Sequence, residues 1–133
     1  LTSQDSARER GSLLKQGVKS LLVKTRDPPA KYLIVNIPAD QKLDYKKLEQ
    51  FSGFSKLTLA KPEEVLEQTG CELGGVPPFG YKNELSIAAD FKIFENEFNE
   101  FNIGQRTVSA KIPTNELKRL FQELKIRTAH ITQ

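Results

Sequence analysis

The sequence has no methionine, one cysteine (Cys71) and one histidine (His130). A lone cysteine forbids an intrachain disulfide and points to a reducing compartment, here the cytoplasm. One cysteine and one histidine also exclude a zinc centre built from several such ligands. Long hydrophobic runs are missing as well. The longest apolar stretches, around Leu21 to Val23 and Leu33 to Val35, fall far short of the ~20 residues a bilayer requires. Because the chain opens at Leu1 and moves directly into a helix signal, it reads as a trimmed piece whose missing N-terminal residues could line its site. No signal or transit peptide is present in what remains.

What is there describes one globular domain over residues 1–133. The chain is 38% apolar and 28% charged, with 8 glycines and 7 prolines, a composition remote from disordered, fibrous or disulfide-stapled chains. At 133 residues it is long enough for one sizeable core and too short for two. Charge is uneven: six basic residues stand against two acidic ones in the first 26, and fourteen against fifteen thereafter. A basic N-terminal end with a pI near 9.0 suits a polyanionic partner such as RNA, or is simply a solvated face.

Local signals order the elements. Thr2 with Asp5 forms a helix-start box, and Gly11 stops that short helix. Val18 to Lys24 alternates as a strand, Asp27-Pro28-Pro29 is a turn, and Lys31 to Ile37 is a second strand pairing back as a hairpin. Asp44 caps a helix that runs to Gly53. Lys56 to Ala60 reads as a strand, and Pro62 opens a helix with an acidic first turn that ends by Gly70. Strands follow at Leu85 to Ala89, Phe98 to Ile103 and Thr107 to Ile112. Thr114 is the expected cap of a last amphipathic helix bearing Leu117, Leu120, Phe121 and Leu124. The expectation is an α+β fold: a mixed, mostly antiparallel sheet with helices packed on it in one layer pair. There is no internal repeat.

Two features stand outside this frame. The ten residues Cys71 to Gly80 hold three glycines and two prolines, which forbids regular structure. Adjacent glycines allow close approach to the main chain, and prolines fix a loop in advance. The segment is either a stiff connector or a loop that offers backbone groups to a ligand. Lys19 lies within an otherwise apolar strand, so it is an edge or snorkelling charge, or a site residue. Cys71 as a nucleophile would need an activating histidine, and His130 belongs to a tail expected to be mobile, so Cys71 reads as a buried thiol and His130 as a surface residue. Glu63 and Glu64 read as helix-start charge. Lys118, Arg119, Lys125 and Arg127 form a solvated face or an RNA contact.

Four motifs in order resemble the YbaK/prolyl-tRNA synthetase editing-domain family: Gln16-Gly17-Val18-Lys19-Ser20-Leu21-Leu22-Val23; Leu43-Asp44-Tyr45-Lys46-Lys47-Leu48; Pro62-Glu63-Glu64-Val65; and Thr69 through Gly80. The likeness continues through Phe101-Asn102-Ile103-Gly104-Gln105-Arg106 into the last helix. It implies a compact α+β domain that hydrolyses the ester of a mischarged tRNA, that of tRNA for proline carrying a small residue such as alanine, serine, threonine or cysteine. The implied partner is tRNA through its aminoacylated 3′ end, beside or within prolyl-tRNA synthetase or another synthetase, with no membrane, metal or cofactor. The family's functional lysine falls on Lys19, and its glycine-to-proline loop on Gly74 through Pro78. Main-chain N–H groups near Gly74 and Gly75 would hold the oxyanion, making Lys19, Gly74 and Gly75 the catalytic set. Val76, Pro78, Asn102, Gly104 and Ser109 would bind substrate. Some alanine-directed relatives carry a histidine after the Asn-x-Gly step, where this chain reads Gln105-Arg106-Thr107; that departs from an alanine assignment. The alternative is a non-catalytic tRNA-binding or synthetase-appended module of the same fold. Retention of Lys19, Gly74 and Pro78 together favours the enzyme.

Overall fold

The hairpin expected on either side of Asp27-Pro28-Pro29 is the centre of the molecule. In a computed structural model, which describes residues 14–81 and 85–133, strand β1 (Val18–Thr25) runs antiparallel to β2 (Tyr32–Pro38), with Val18 opposite Pro38 and Lys24 opposite Tyr32. The helix expected between Thr2 and Gly11 lies outside the described residues, as do Arg8 and Arg10 of the basic N-terminal segment. Next come α1 (Tyr45–Ser52), β3 (Leu57–Leu59), α2 (Pro62–Thr69), β4 (Ser86–Asp90), β5 (Phe98–Gln105), β6 (Val108–Pro113), α3 (Thr114–Glu123) and β7 (Arg127–Ala129). Short 3-10 turns precede β1 and follow β4.

The main sheet has the order β3-β1-β2-β4-β7. Strand β3 joins β1 antiparallel, while β4 joins β2 and β7 joins β4 in parallel. The sheet is therefore mixed, as expected, and the fold is a single-domain α+β. The three late strands do not continue one sheet, however: β5 and β6 form their own antiparallel ribbon.

The single layer pair also gives way. Leu33 through Ile37 of β2 are all buried, and a strand that is apolar on both faces requires cover on both. On one face Val23, Leu33, Val35 and Ile37 pack against Leu48 of α1 and against Ile131. Opposite, Leu22 and Ile34 meet Val65 of α2 and Val76 of the glycine-rich loop. Beside them, Val18 packs with Phe101 of β5 and with Leu117 and Phe121 of α3.

Two helix starts follow local rules and one does not. Asp44 accepts the Lys47 N–H at 3.0 Å, and Gly53 closes α1 at φ +82°. At the start of α2 the Glu64 carboxylate accepts the Lys61 N–H at 3.0 Å, pairs with Lys24 at 2.9 Å and takes the Tyr32 hydroxyl at 2.8 Å. Lys24 foremost, then those two donors, hold its acid down to about 2. In α3 Thr114 is not the cap. Pro113 holds that position with no side-chain bond, and the Thr114 hydroxyl turns inward to accept from the buried Asn99 amide at 2.8 Å. Satisfying a buried amide outweighs a cap that solvent could replace.

The tail after α3 is docked rather than mobile. Ile131 is fully buried, its N–H bonds the Asp90 carboxylate at 2.9 Å, and its carbonyl accepts the Asp44 N–H at 2.8 Å. His130 is exposed, as expected, with its ring 5.6 Å from that of Phe91. Arg127-Thr128-Ala129 is too short and polar to announce a strand. Among the described residues no helix is long and apolar enough to cross a membrane. Ile131→Ala should cost about 2–4 kcal/mol in urea unfolding, as for a fully buried isoleucine; a loss below ~0.5 kcal/mol would show that the tail does not hold the core.

Candidate active site

The start of β1, the loop between α2 and β4, and strand β5 enclose a cleft of about 190 Å³, lined among others by Lys19, Ser20, Leu73, Gly74, Val76, Glu100, Asn102 and Arg106. Lys19 is half-buried and lies in the sheet opposite Ile37. Because β3 pairs only with Val23 to Thr25, Lys19 stands at a local edge of the sheet, half-buried in the cleft wall rather than fully solvated. Burial pushes its ammonium below the ordinary lysine range, Asp40 opposes that shift, and Lys42 adds to it. The group makes no hydrogen bond to the described residues, and it lines the cleft.

The glycine-rich loop is sewn to the fold through its carbonyl groups. Gly74 O accepts from the Asn102 amide, Gly75 O from the Gly104 N–H at 2.8 Å, and Pro78 O from the Asn36 amide at 3.1 Å. Gly75 is required by proximity: a Cβ there would stand 2.9 Å from the Gln105 backbone. Gly74 is required by conformation, with φ +85°. The Gly75 N–H is not open to a ligand, because it closes the loop's own turn on Glu72 O at 2.9 Å. That removes Gly75 from the expected donor pair, while the Gly74 N–H carries no bond to the described residues.

The expected residues thus separate into two groups. Lys19, Gly74, Val76 and Asn102 line the cleft. Gly75, Pro78 and Gly104 hold the loop from behind, and Ser109 sits on β6 opposite Asn102. Cys71 is only half-buried, with its thiol 3.8 Å from Thr69 O, and packs beside the Val65 and Val76 cluster. Of the late basic residues none lines the cleft: the Lys118 ammonium lies over the Phe94 ring at 5.6 Å and the Arg127 guanidinium over Phe51 at 4.5 Å. Among the described residues no group of three His, Cys, Asp or Glu side chains is placed to hold a metal ion.

Three residues of the site were given no role by the sequence reading. Asn36, fully buried in mid-β2, receives the Ser20 hydroxyl at 2.6 Å while its amide holds Pro78 O. Glu100 is a buried acid in the cleft wall, and Arg106, exposed at the rim, pairs with Glu72 at 3.5 Å. The signal for Asn36 was available: an amide inside the apolar run Leu33 to Ile37 demands partners.

The two glycines should respond differently to a methyl group. Gly74→Ala meets only the flexible Arg106 side chain and should cost about 1–2 kcal/mol for its left-handed backbone, like Gly80→Ala at φ +83° with open space around it. Gly75→Ala pushes on backbone and should cost about 1–3 kcal/mol while loosening the Gly104 amide. Hydrogen exchange at Gly104 that stays protected in Gly75→Ala would contradict this.

Comparison with known proteins gives this geometry its context. The chain matches the aminoacyl-tRNA editing domain over residues 1–120. It is 35% identical over 116 residues to the multifunctional Ser/Thr-tRNA deacylase ProXp-y of Escherichia coli (strain K12), covering 85% of this chain and 69% of that protein. It is 34% identical over 118 residues to the uncharacterized protein YwhH of Bacillus subtilis (strain 168), covering 87% and 72%. A shorter match, 36% over 89 residues, links 67% of the chain to 15% of the proline–tRNA ligase of Thermosipho melanesiensis. The solved structure of a proposed trans-editing enzyme for prolyl tRNA synthetase aligns with a TM-score of 0.85 at 25% identity, over 99% of this chain and 80% of that one. With the family model spanning residues 1–120 and relatives above 30% identity spanning most of both chains, this protein belongs to the family of aminoacyl-tRNA editing domains.

Proposed function

We propose that the cleft hydrolyses the ester between a non-cognate amino acid and the 3′ end of tRNA, acting as an aminoacyl-tRNA deacylase. The observation that carries this is the meeting of Lys19 with the Gly74 main chain and Asn102 around one small cleft. An aminoacyl ester is already activated, so the protein has to place a water, fix the carbonyl and stabilise the charge that develops on its oxygen. Water adds to the carbonyl carbon, the tetrahedral intermediate collapses, and the ribose oxygen leaves with a proton. The open Gly74 N–H and the Lys19 ammonium are the donors suited to the oxyanion and to the adjoining phosphate or ribose. Gly75, Pro78 and Gly104 keep that N–H in position; Val76 and Asn102 bound the amino-acid end, and Ser109 supports Asn102 from β6.

Serine or threonine on tRNA for proline is the substrate this reading favours. The small, partly polar cleft suits a short hydroxylated side chain, the E. coli relative is named for Ser and Thr, and proline–tRNA ligases share the domain. Alanine and cysteine are the other small residues to test. A panel of tRNAs for proline, each charged with one of these, decides: release of seryl or threonyl groups ahead of prolyl is expected. No release from any of them would leave a binding module.

Lys19 supplies the sharper test. Lys19→Met should lower single-turnover deacylation by about two orders of magnitude or more, the range seen when one electrostatic donor is removed. It should not lower stability at neutral pH, because the fold disfavours this charge. The sign follows from linkage: with its folded pKa depressed, Lys19 binds fewer protons folded than unfolded, so wild-type stability rises as pH climbs toward the ordinary lysine value of 10.5. Urea midpoints across that range should climb in wild type relative to Lys19→Met. Near-normal turnover in the variant would remove Lys19 from the machinery.

A further inference from the structure

Ser20 has committed its hydrogen to the protein, and Asn102 one of its two amide hydrogens. Ser20 must donate to Asn36 Oδ1, at 2.6 Å, because the Asn36 amide nitrogen is taken by Pro78 O. Asn102 must turn its amide nitrogen to Gly74 O, since a carbonyl can only accept. What each can still offer is an acceptor. For Asn102 that acceptor is orphaned: Oδ1 is buried and has no hydrogen-bond partner. The other orphaned buried oxygen among the described side chains, Thr132 Oγ1, lies near the chain end and does not line the cleft. Leaving a buried acceptor unmet costs about 1–3 kcal/mol, and the Asn102 side chain that carries it belongs to a residue lining the cleft. Glu100, two residues earlier on the same face of β5, adds a carboxylate to that wall.

A group that fits such a wall carries several donors and a positive charge. We propose that Asn102 Oδ1 receives the free α-ammonium of the aminoacyl group, so that the cleft accepts aminoacyl esters and rejects N-acylated or peptidyl ones. The proposal rests on the deacylase reading and adds the recognised group. Lys19 and Arg106 present cationic donors to the phosphate-bearing end, and the Asn102 and Ser20 acceptors take the cationic end. Acylation removes the charge, removes donors, and places a second carbonyl against acceptors that cannot answer it. Fixing the ammonium sets which face of the ester carbonyl meets the Gly74 N–H.

The test compares seryl-tRNA and N-acetyl-seryl-tRNA for proline in single turnover, with wild type, Asn102→Ala and the near-isosteric Asn102→Leu. Wild type should prefer the free amine by about 10- to 100-fold, the range for a hydrogen bond to a charged group. Both variants also lose the amide that holds Gly74 O, so both substrates should slow, but the free-amine substrate should slow further, bringing the preference to within about threefold. A merely structural role would slow both substrates by the same factor and leave the preference intact. Equal rates in wild type, or a preference that survives in a folded variant, overturns the assignment. Should neither variant fold, the wild-type preference must decline as pH rises past the α-amino pKa of about 8, and a flat profile overturns the proposal. If wild type releases serine from neither substrate nor any other residue from the panel, the deacylase reading fails first and takes the assignment with it.

Discussion

The structure depends on how closely residues 74 and 75 approach β5. At Gly75 the two backbones are near enough that a methyl group would stand 2.9 Å from Gln105, and β5 meets the loop with a register break between Asn102 and Gln105 and a left-handed Gly104 at φ +117°. Three loop carbonyls, those of Gly74, Gly75 and Pro78, are consumed by Asn102, Gly104 and Asn36. A peptide plane whose C=O is drawn into the fold turns neighbouring N–H groups elsewhere. The Gly74 N–H, which lies beside the cleft, carries no bond to the described residues. Proline at 77 and 78 contributes no N–H that would need a partner.

The same architecture determines why a lysine can work in a strand. Lys19 follows Gly17 and Val18 at the end of β1 that β3 does not reach, since β3 pairs only with Val23 to Thr25. The vacancy beside it is where the loop and β5 close in. Burial there disfavours the charge, and the same loss of water strengthens any interaction the ammonium makes with an anionic group. A site of this kind carries a stability cost in exchange for electrostatic reach.

Local chemistry made much of this legible. Asp44 and Gly53, Pro62 and Gly70, and the hairpin around Asp27-Pro28-Pro29 all work through neighbours within a few positions, so the sequence announces them. Thr114, β7 and the second covering layer depend on partners far along the chain: Asn99 for Thr114, β4 for β7, and both faces of β2 for the layer. The site divides the same way. Lys19 and Gly74 are recognisable as residue types out of place, whereas the occupied N–H of Gly75 is set by Glu72 and by the turn it closes. Family resemblance brought Asn102 forward; no local pattern distinguishes it from Asn99, three residues earlier, which is fully buried and serves only the core. Ser109 was likewise brought forward by the resemblance; it lies opposite Asn102 across the ribbon and does not line the cleft.

The balance of donors and acceptors explains how so sparse a cleft can match the proposed chemistry. Breaking an amide requires protonation of a poor leaving group, and so a positioned acid of suitable pKa. An ester of the ribose leaves more readily, and the barrier is dominated by charge on the former carbonyl oxygen. In the proposed reaction one main-chain N–H and one partly desolvated ammonium would address that charge directly. Hydrogens of three nearby groups are already committed: Ser20's to Asn36, one of the Asn102 amide's to Gly74 O, and that of the Gly75 N–H to Glu72 O. Such commitments prevent the wall from rearranging around a wrong ligand. Substrate choice under this arrangement then rests on what the fixed acceptors require and on the room left between Val76 and β5, rather than on a dedicated acid–base pair.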